Sequence, residues 1–119
     1  SAVNGVLAQR LARRVCKKCV EFKKPTKKEM QLLDGHEYTK IPYAAGCSVC
    51  RGSGYNGRIG IYELLVMDDE LRDAIASNPT ITSFRNLAIE RGMQILRHDG
   101  FAKVAAGLTT IEEILRLTP

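Results

Sequence analysis

No tryptophan occurs among the 119 residues, and aromatic side chains make up only 6% of them. A core must therefore come from Leu, Ile, Val, Ala and Met, and a chain this short gains from an additional cross-link. Long hydrophobic runs are missing too. No stretch approaches the roughly 18 consecutive apolar residues of a membrane-spanning helix. The first residues lack the basic-then-apolar order of a secretory leader, and the chain reads as starting mid-domain. Acidic residues are in deficit, 13 against 18 Lys and Arg.

What is present suits one globular domain, with 45% apolar and 26% charged residues. The excess of positive charge is one-sided. Residues 1–60 carry 12 Lys/Arg against 4 Asp/Glu, and residues 61–119 carry 6 against 9, so the halves stand at +8 and −3. Such asymmetry points the first half toward an anionic partner: lipid headgroup, nucleic acid or an acidic protein face. A solvated lysine-rich surface is the plainer reading.

Residues 3–9 read as the end of a helix and residues 11–15 as a short strand. Thr26-Lys27-Lys28-Glu29 fits a capping box opening a helix over 27–33, with Asp34-Gly35 as its stop. Five glycines lie from Gly46 to Gly60, marking tight turns, and a strand is expected over 58–66. Asp68, Asp69 and Glu70 favour a helix start, which Asn78-Pro79 should end. Ile81, Phe84, Leu87 and Ala88 recur at helical spacing, as do Met93, Leu96, Gly100, Val104 and Leu108. Gly107 suits a helix C′ position. Thr110 through Glu113 form a second capping box, opening a last helix with Ile111, Ile114 and Leu115 inward. The fold class expected is α+β: a short antiparallel strand pair carrying an inserted cysteine module, followed by a small helical bundle. The divisions fall at 1–15, 16–57 and 58–119.

The four cysteines form two Cys-x-x-Cys pairs, Cys16/Cys19 and Cys47/Cys50. A two-residue spacer lets both thiolates of a pair reach one tetrahedral Zn²⁺, and two pairs complete a closed four-sulfur shell. With no position left for water, such a site is structural. The 27 residues between the pairs exceed the roughly 15–20 of common ribbons, leaving room for a helix of their own. Lys17, Lys18 and Arg51 supply counter-charge. Disulfides in an oxidising compartment and a redox-active dithiol are the competing readings. Both fit less well, because redox motifs normally occur once and disulfide scaffolds rarely use paired short spacings. His36 and His98 read as ordinary surface histidines.

Gly52-Ser53-Gly54-Tyr55-Asn56-Gly57 matches the dinucleotide fingerprint G-x-G-x-x-G, but it follows a cysteine pair and runs into a strand instead of opening a helix. Gly52 and Gly57 are also spaced as in a P-loop, yet Arg58-Ile59 stand where Lys and Ser/Thr are needed. No ATP hydrolysis is expected of this chain alone, and no catalytic residue is assigned.

The stretch from Val6 to Cys16 (VLAQRLARRVC), that from Gly46 to Glu63 (GCSVCRGSGYNGRIGIYE), and the tail from Arg97-His98-Asp99-Gly100-Phe101 through Ile114 resemble the C-terminal part of type II secretion and type IV pilus assembly ATPases. The resemblance implies that the first strand closes a RecA-like core, that the tetracysteine module is inserted between two strands, and that Cys16, Cys19, Cys47 and Cys50 bind structural zinc. It further implies a hexameric motor on the cytoplasmic face of the bacterial inner membrane, with ATP and Mg²⁺ bound elsewhere in the full-length protein. Partners would be the ATPase core, neighbouring subunits and a membrane platform protein, with Lys23, Lys24, Lys27 and Lys28 meeting a partner loop or anionic headgroups. The resemblance does not separate secretion from pilus assembly. Rival readings are a chaperone-type zinc knuckle and a zinc-ribbon nucleic-acid binder. The latter draws on a pI of about 9.2 but lacks an evident base-reading helix.

Overall fold

The computed structural model describes residues 5–77 and 80–119. Its elements are β1 Gly5–Val15, β2 Glu21–Lys23, α1 Lys27–Leu32, β3 Ile41–Tyr43, β4 Tyr55–Val66, α2 Asp69–Ala76, α3 Ile81–Glu90, α4 Leu96–Ala105 and α5 Ile111–Leu117. β1 and β4 form one antiparallel ladder, from Gly5 opposite Val66 to Arg13 opposite Arg58; past an irregularity, Val15 lies opposite Tyr55. A strand of 11 or 12 residues is roughly 36–40 Å long. That exceeds the two smaller dimensions of the 54 × 28 × 20 Å molecule, so the ladder lies near its long axis. β2 and β3 form a second, short antiparallel pair inside the segment between β1 and β4.

Opposed residues of a ladder share a face. On one face Ala12, Ile61 and Leu65 are buried beneath helices. The other face carries Leu7 (64% exposed), Leu11, Tyr62, Leu64 and Val66 (65%), all of them exposed. The two outer edges differ as well. Along β4, Leu64 exchanges backbone hydrogen bonds with Gln94 at 2.9 and 3.0 Å, and the Tyr62 N–H donates to Asp99 Oδ2 at 2.9 Å. Along β1, the end nearest Val15 is closed: the Arg13 N–H donates to Glu113, the Thr109 hydroxyl donates to the Arg13 carbonyl, and the Val15 N–H donates to the Leu108 carbonyl. Toward Gly5, no third strand lies beside β1 among the described residues.

The helices form two packing groups instead of the single small bundle the sequence suggests. Phe101 and Val104 of α4 and Ile111 and Ile114 of α5 bury against Ala12, Ile61, Leu33 and Ile41. A separate cluster joins Leu65 to Leu71 and Ala88, with Phe84, Leu87 and Met93 around it. Leu33 and Ile41 belong to the segment between β1 and β4, so that insertion shares its hydrophobic core with the C-terminal helices.

Local expectations fare unevenly. α1 has its complete capping box: the Glu29 N–H donates to Thr26 Oγ1, and the Thr26 N–H donates to Glu29 Oε1. Tyr43 adds a 2.7 Å hydrogen bond to the same carboxylate and ties α1 to β3. Burial, then the bond to Glu29 and its charge, push the Tyr43 hydroxyl up to about 12. α4 ends in a Schellman motif, the Gly107 N–H reaching the Val104 carbonyl and the Leu108 N–H the Lys103 carbonyl. Among the described residues, no helix is long and apolar enough to cross a membrane.

Four expectations are corrected. Residues 5–9 belong to β1, not to a helix; residues 3 and 4 lie outside the described residues, as do Asn78 and Pro79. Leu7 and Leu11 imitate helical spacing in a run of good helix formers, but a long cross-strand ladder outweighs local preference. The second amphipathic stretch is helical only from Leu96 to Ala105, because Gln94 pairs with Leu64 and the Schellman turn stops the helix before Leu108. Leu115 is 40% exposed, on the outer side of α5. The second capping box is half made: Thr110 accepts from the Glu113 N–H, but the Glu113 carboxylate turns to Arg13 and Arg116.

Candidate metal centre

The cysteines stand where β1 ends and β4 begins. β1 stops at Val15, and the Cys16 N–H donates to the Gly54 carbonyl at 2.9 Å, which carries the ladder into the first knuckle. The chain then folds back, the Val20 N–H reaching the Cys16 carbonyl at 3.0 Å. In the second knuckle the Gly52 N–H reaches the Cys47 carbonyl at 2.8 Å, and Arg51 is held at a φ of 58°. For a non-glycine residue that left-handed conformation is uncommon, and the surrounding turn must enforce it.

The two pairs, 27 residues apart in sequence, converge so that all four Sγ atoms lie within 4.8 Å of one another. Cys16 to Cys47 and Cys19 to Cys50 are each 3.8 Å, and Cys47 to Cys50 is 3.7 Å. A regular tetrahedron with Zn–S bonds of about 2.3 Å has sulfur–sulfur edges of about 3.8 Å. A disulfide needs about 2.05 Å, and all four cysteines are free thiols. The donor set therefore fits a tetrahedral, sulfur-preferring ion and could hold one.

Backbone amides surround the sulfurs. The Gly46 N–H points to Cys19 Sγ at 3.3 Å, and the N–H groups of Cys47 and Gly54 point to Cys50 Sγ at 3.3 and 3.2 Å. Burial raises the Cys50 thiol, but those two amides outweigh it and bring Cys50 down to about 6. Cys19, with one amide against burial and three neighbouring thiols, is pushed up to about 11. Gly54 is required here by its surroundings: its φ is 85°, and a Cβ would stand 2.6 Å from the Ala44 Cβ. A side chain would push the amide away from Cys50.

The geometry agrees with what sequence comparison finds. The family described as "Type II/IV secretion system protein" matches residues 1–116. The chain belongs to this family. A type IV pilus assembly ATPase, PilB of Thermus thermophilus, is 42% identical over 122 residues, covering 99% of this chain and 14% of the relative. The type II secretion system protein E of Pseudomonas aeruginosa is also 42% identical, over 120 residues, with coverage of 99% and 24%. The type II secretion system ATPase E of Vibrio cholerae is 38% identical over 120 residues, with the same coverages. The chain thus spans between 14% and 24% of the length of these relatives.

Within this member of the type II/IV secretion family, the glycine loop serves the knuckle. It leads directly into β4, so no helix N-terminus follows it to receive a phosphate. His36 does not join the cluster of four thiols and faces His98, the ring centroids 4.5 Å apart. A concavity of about 760 Å³ between β1, α3 and the start of α4 shares no residue with the thiols; Arg10, Glu63, Arg85 and Arg97 line it.

Three carboxylates that fasten the ladder to the helices escape sequence reasoning. Glu63 accepts the Leu96 N–H at the uncapped start of α4 and pairs with Arg85 at 3.0 Å. Asp99 accepts the Tyr62 N–H and pairs with Lys103 at 3.2 Å. Glu113, fully buried, is bound by Arg13 and Arg116. Only Glu113 had a local signal, and the capping box pointed it to the wrong donor.

Proposed function

We propose that this chain is the zinc-binding and helical C-terminal region of a hexameric ATPase that powers type II protein secretion or type IV pilus extension. Cys16, Cys19, Cys47 and Cys50 hold one structural Zn²⁺; a closed thiolate shell leaves no open position for catalysis. Residues 1–15 complete the RecA-like core, 16–57 form the zinc module, and 58–119 supply the return strand and helices. ATP and Mg²⁺ are bound by the parent protein outside this chain, which itself has structural, docking and force-transmitting roles.

The observation that carries this reading is the asymmetry of the β1–β4 ladder. One end has an exposed apolar face, through Leu7, Leu11, Leu64 and Val66, and a β1 edge with no further strand beside it among the described residues. Such an edge is a template for pairing with further strands, here those of the ATPase core. The other end runs into the thiol tetrahedron. One continuous ladder therefore links the core to the metal-stapled module, and bound metal would keep the far end stiff. The partners that belong to this reading are the core and neighbouring subunits at one end, and at the other an inner-membrane platform protein or anionic headgroups on the cytoplasmic side.

Elemental analysis of native protein, followed by a thermal melt after chelation, tests the reading. One zinc per chain and a large loss of stability are expected. Metal-free protein lacking free thiols would overturn it.

A further inference from the structure

The charge imbalance between the two halves becomes specific in three dimensions. All six Lys/Arg of residues 61–119 have a polar partner within the chain: Arg72 with Asp69, Arg85 with Glu63, Arg91 with Asp68 and Glu70, Arg97 with Thr118, Lys103 with Asp99, and Arg116 with Glu113. Of the 12 in residues 1–60, only Arg13 and Lys23 pair with a carboxylate among the described residues. Arg97 apart, the cations without a carboxylate partner among the described residues thus lie in β1, the insertion and the start of β4.

Three of them converge. Arg14, Lys17 and Lys18 line one groove of about 440 Å³ at the cysteine knuckles, together with Val15, Cys16, Val49 and Asn56, and among the described residues no carboxylate lines it. Val49, from the second knuckle, is 57% exposed. A recess whose charged residues are all cationic, with an exposed aliphatic side chain and one amide, has the complement of a peptide. Carboxylates would answer the three cations, an aliphatic residue would pack on Val49, and the Asn56 amide can hydrogen-bond a passing backbone. A membrane surface fits worse, since a headgroup layer favours a convex basic face over a recess.

We propose that this groove is the docking site for an acidic, aliphatic-containing segment of a partner protein. The inference rests on the functional reading above and names the partner's chemistry: carboxylates flanking a Leu, Ile or Val. Pairing at a rim of exposed cations chiefly governs encounter rate and salt dependence, while the aliphatic contact governs residence. Both should be needed.

The test uses the full-length parent protein as purified, without added metal or chelator, and a fluorescein-labelled pentapeptide, Glu-Asp-Leu-Asp-Glu, followed by anisotropy. Saturable binding is expected, weakening as salt rises. It should be at least about tenfold weaker in the Lys17→Glu/Lys18→Glu variant and in Val49→Asp, while Lys40→Glu, with its charge outside the groove, binds as wild type. The neutral counterpart Gln-Asn-Leu-Asn-Gln should not bind. Equal binding by wild type and Lys17→Glu/Lys18→Glu overturns the proposal, as does association with phosphatidylglycerol vesicles without peptide binding. Zinc is measured on the same samples: zinc present with no peptide binding sinks the groove alone, whereas zinc absent sinks the underlying reading and the groove with it.

Discussion

Arg13 holds Glu113 twice, through its backbone N–H to Oε2 at 2.7 Å and through its guanidinium to Oε1 at 3.1 Å. The Arg116 guanidinium closes the other side at 2.9 Å, and the Arg13 guanidinium lies 4.2 Å from the centre of the Tyr55 ring. A carboxylate with no exposed surface thus caps the edge of β1 where it runs into the first knuckle, and it belongs to the last helix of the chain.

That arrangement predicts an acid-sensitive joint. Burial raises the Glu113 carboxyl, but the bonds from Arg116 and Arg13 outweigh it and bring it to about 2, below its ordinary 4.5. A depressed carboxyl contributes stability above its unfolded pKa and loses it as pH falls through the folded one. Wild-type protein should lose about 3 kcal/mol between roughly pH 5 and 2 from this group. Glu113→Gln should be about 2–3 kcal/mol less stable at pH 7. Urea melts should show a flatter profile for the variant across the acid window; parallel profiles would refute the assignment.

His36 predicts a second window at higher pH. Burial first, and then the neighbouring His98, hold its imidazole below the usual 6.5. The folded state therefore favours the neutral ring, and stability present above about pH 6.5 begins to fall as pH drops below it. In an NMR titration the His36 ring should titrate below the usual histidine value and shift upward in His98→Gln. An unchanged midpoint in that variant would dismiss the coupling.

Metal removal should act locally first. The buried hydrophobic cluster of Ala12, Leu33, Ile41, Phe101 and Ile114 contains none of the thiols. Chelation is expected to cost at least about 3 kcal/mol and lower the melting temperature by about 10 °C or more. Hydrogen exchange should quicken at the amides of Gly46, Cys47 and Gly54, which point at sulfur, while α4 and α5 stay protected. Uniform loss of protection would show that the sulfur site and that cluster unfold as one unit.

Gly100 tests how closely α4 and α5 approach. It sits inside α4, where an added Cβ would stand 2.7 Å from Ile114 Cγ2. Ala is the better helix former by about 1 kcal/mol, but overpacking a core costs about 1–3 kcal/mol. Gly100→Ala should therefore be destabilising by about 1 kcal/mol in a thermal melt. Gly100→Ala combined with Ile114→Ala, which removes the obstructing Cγ2, should cost less than the two single changes summed. A stabilised single variant would mean the helices can separate freely.

By itself the sequence determined features whose physics is local. Each Cys-x-x-Cys spacing suits its own two thiols to one tetrahedral ion; Thr26 and Glu29 cap each other across one turn; Gly107 stops α4 through hydrogen bonds spanning only a few residues. Each depends on neighbours in the chain, so a one-dimensional reading suffices. Only the tertiary structure decided that residues 5–9 extend instead of coiling, because their partners are Tyr62 to Val66, more than fifty residues away. It decided that Glu113 abandons its own cap for Arg13, a hundred residues earlier, where two guanidinium groups outbid one backbone amide. It decided that Arg14, Lys17 and Lys18 share one groove at the thiol end of the ladder, since grouping depends on what the fold brings within reach.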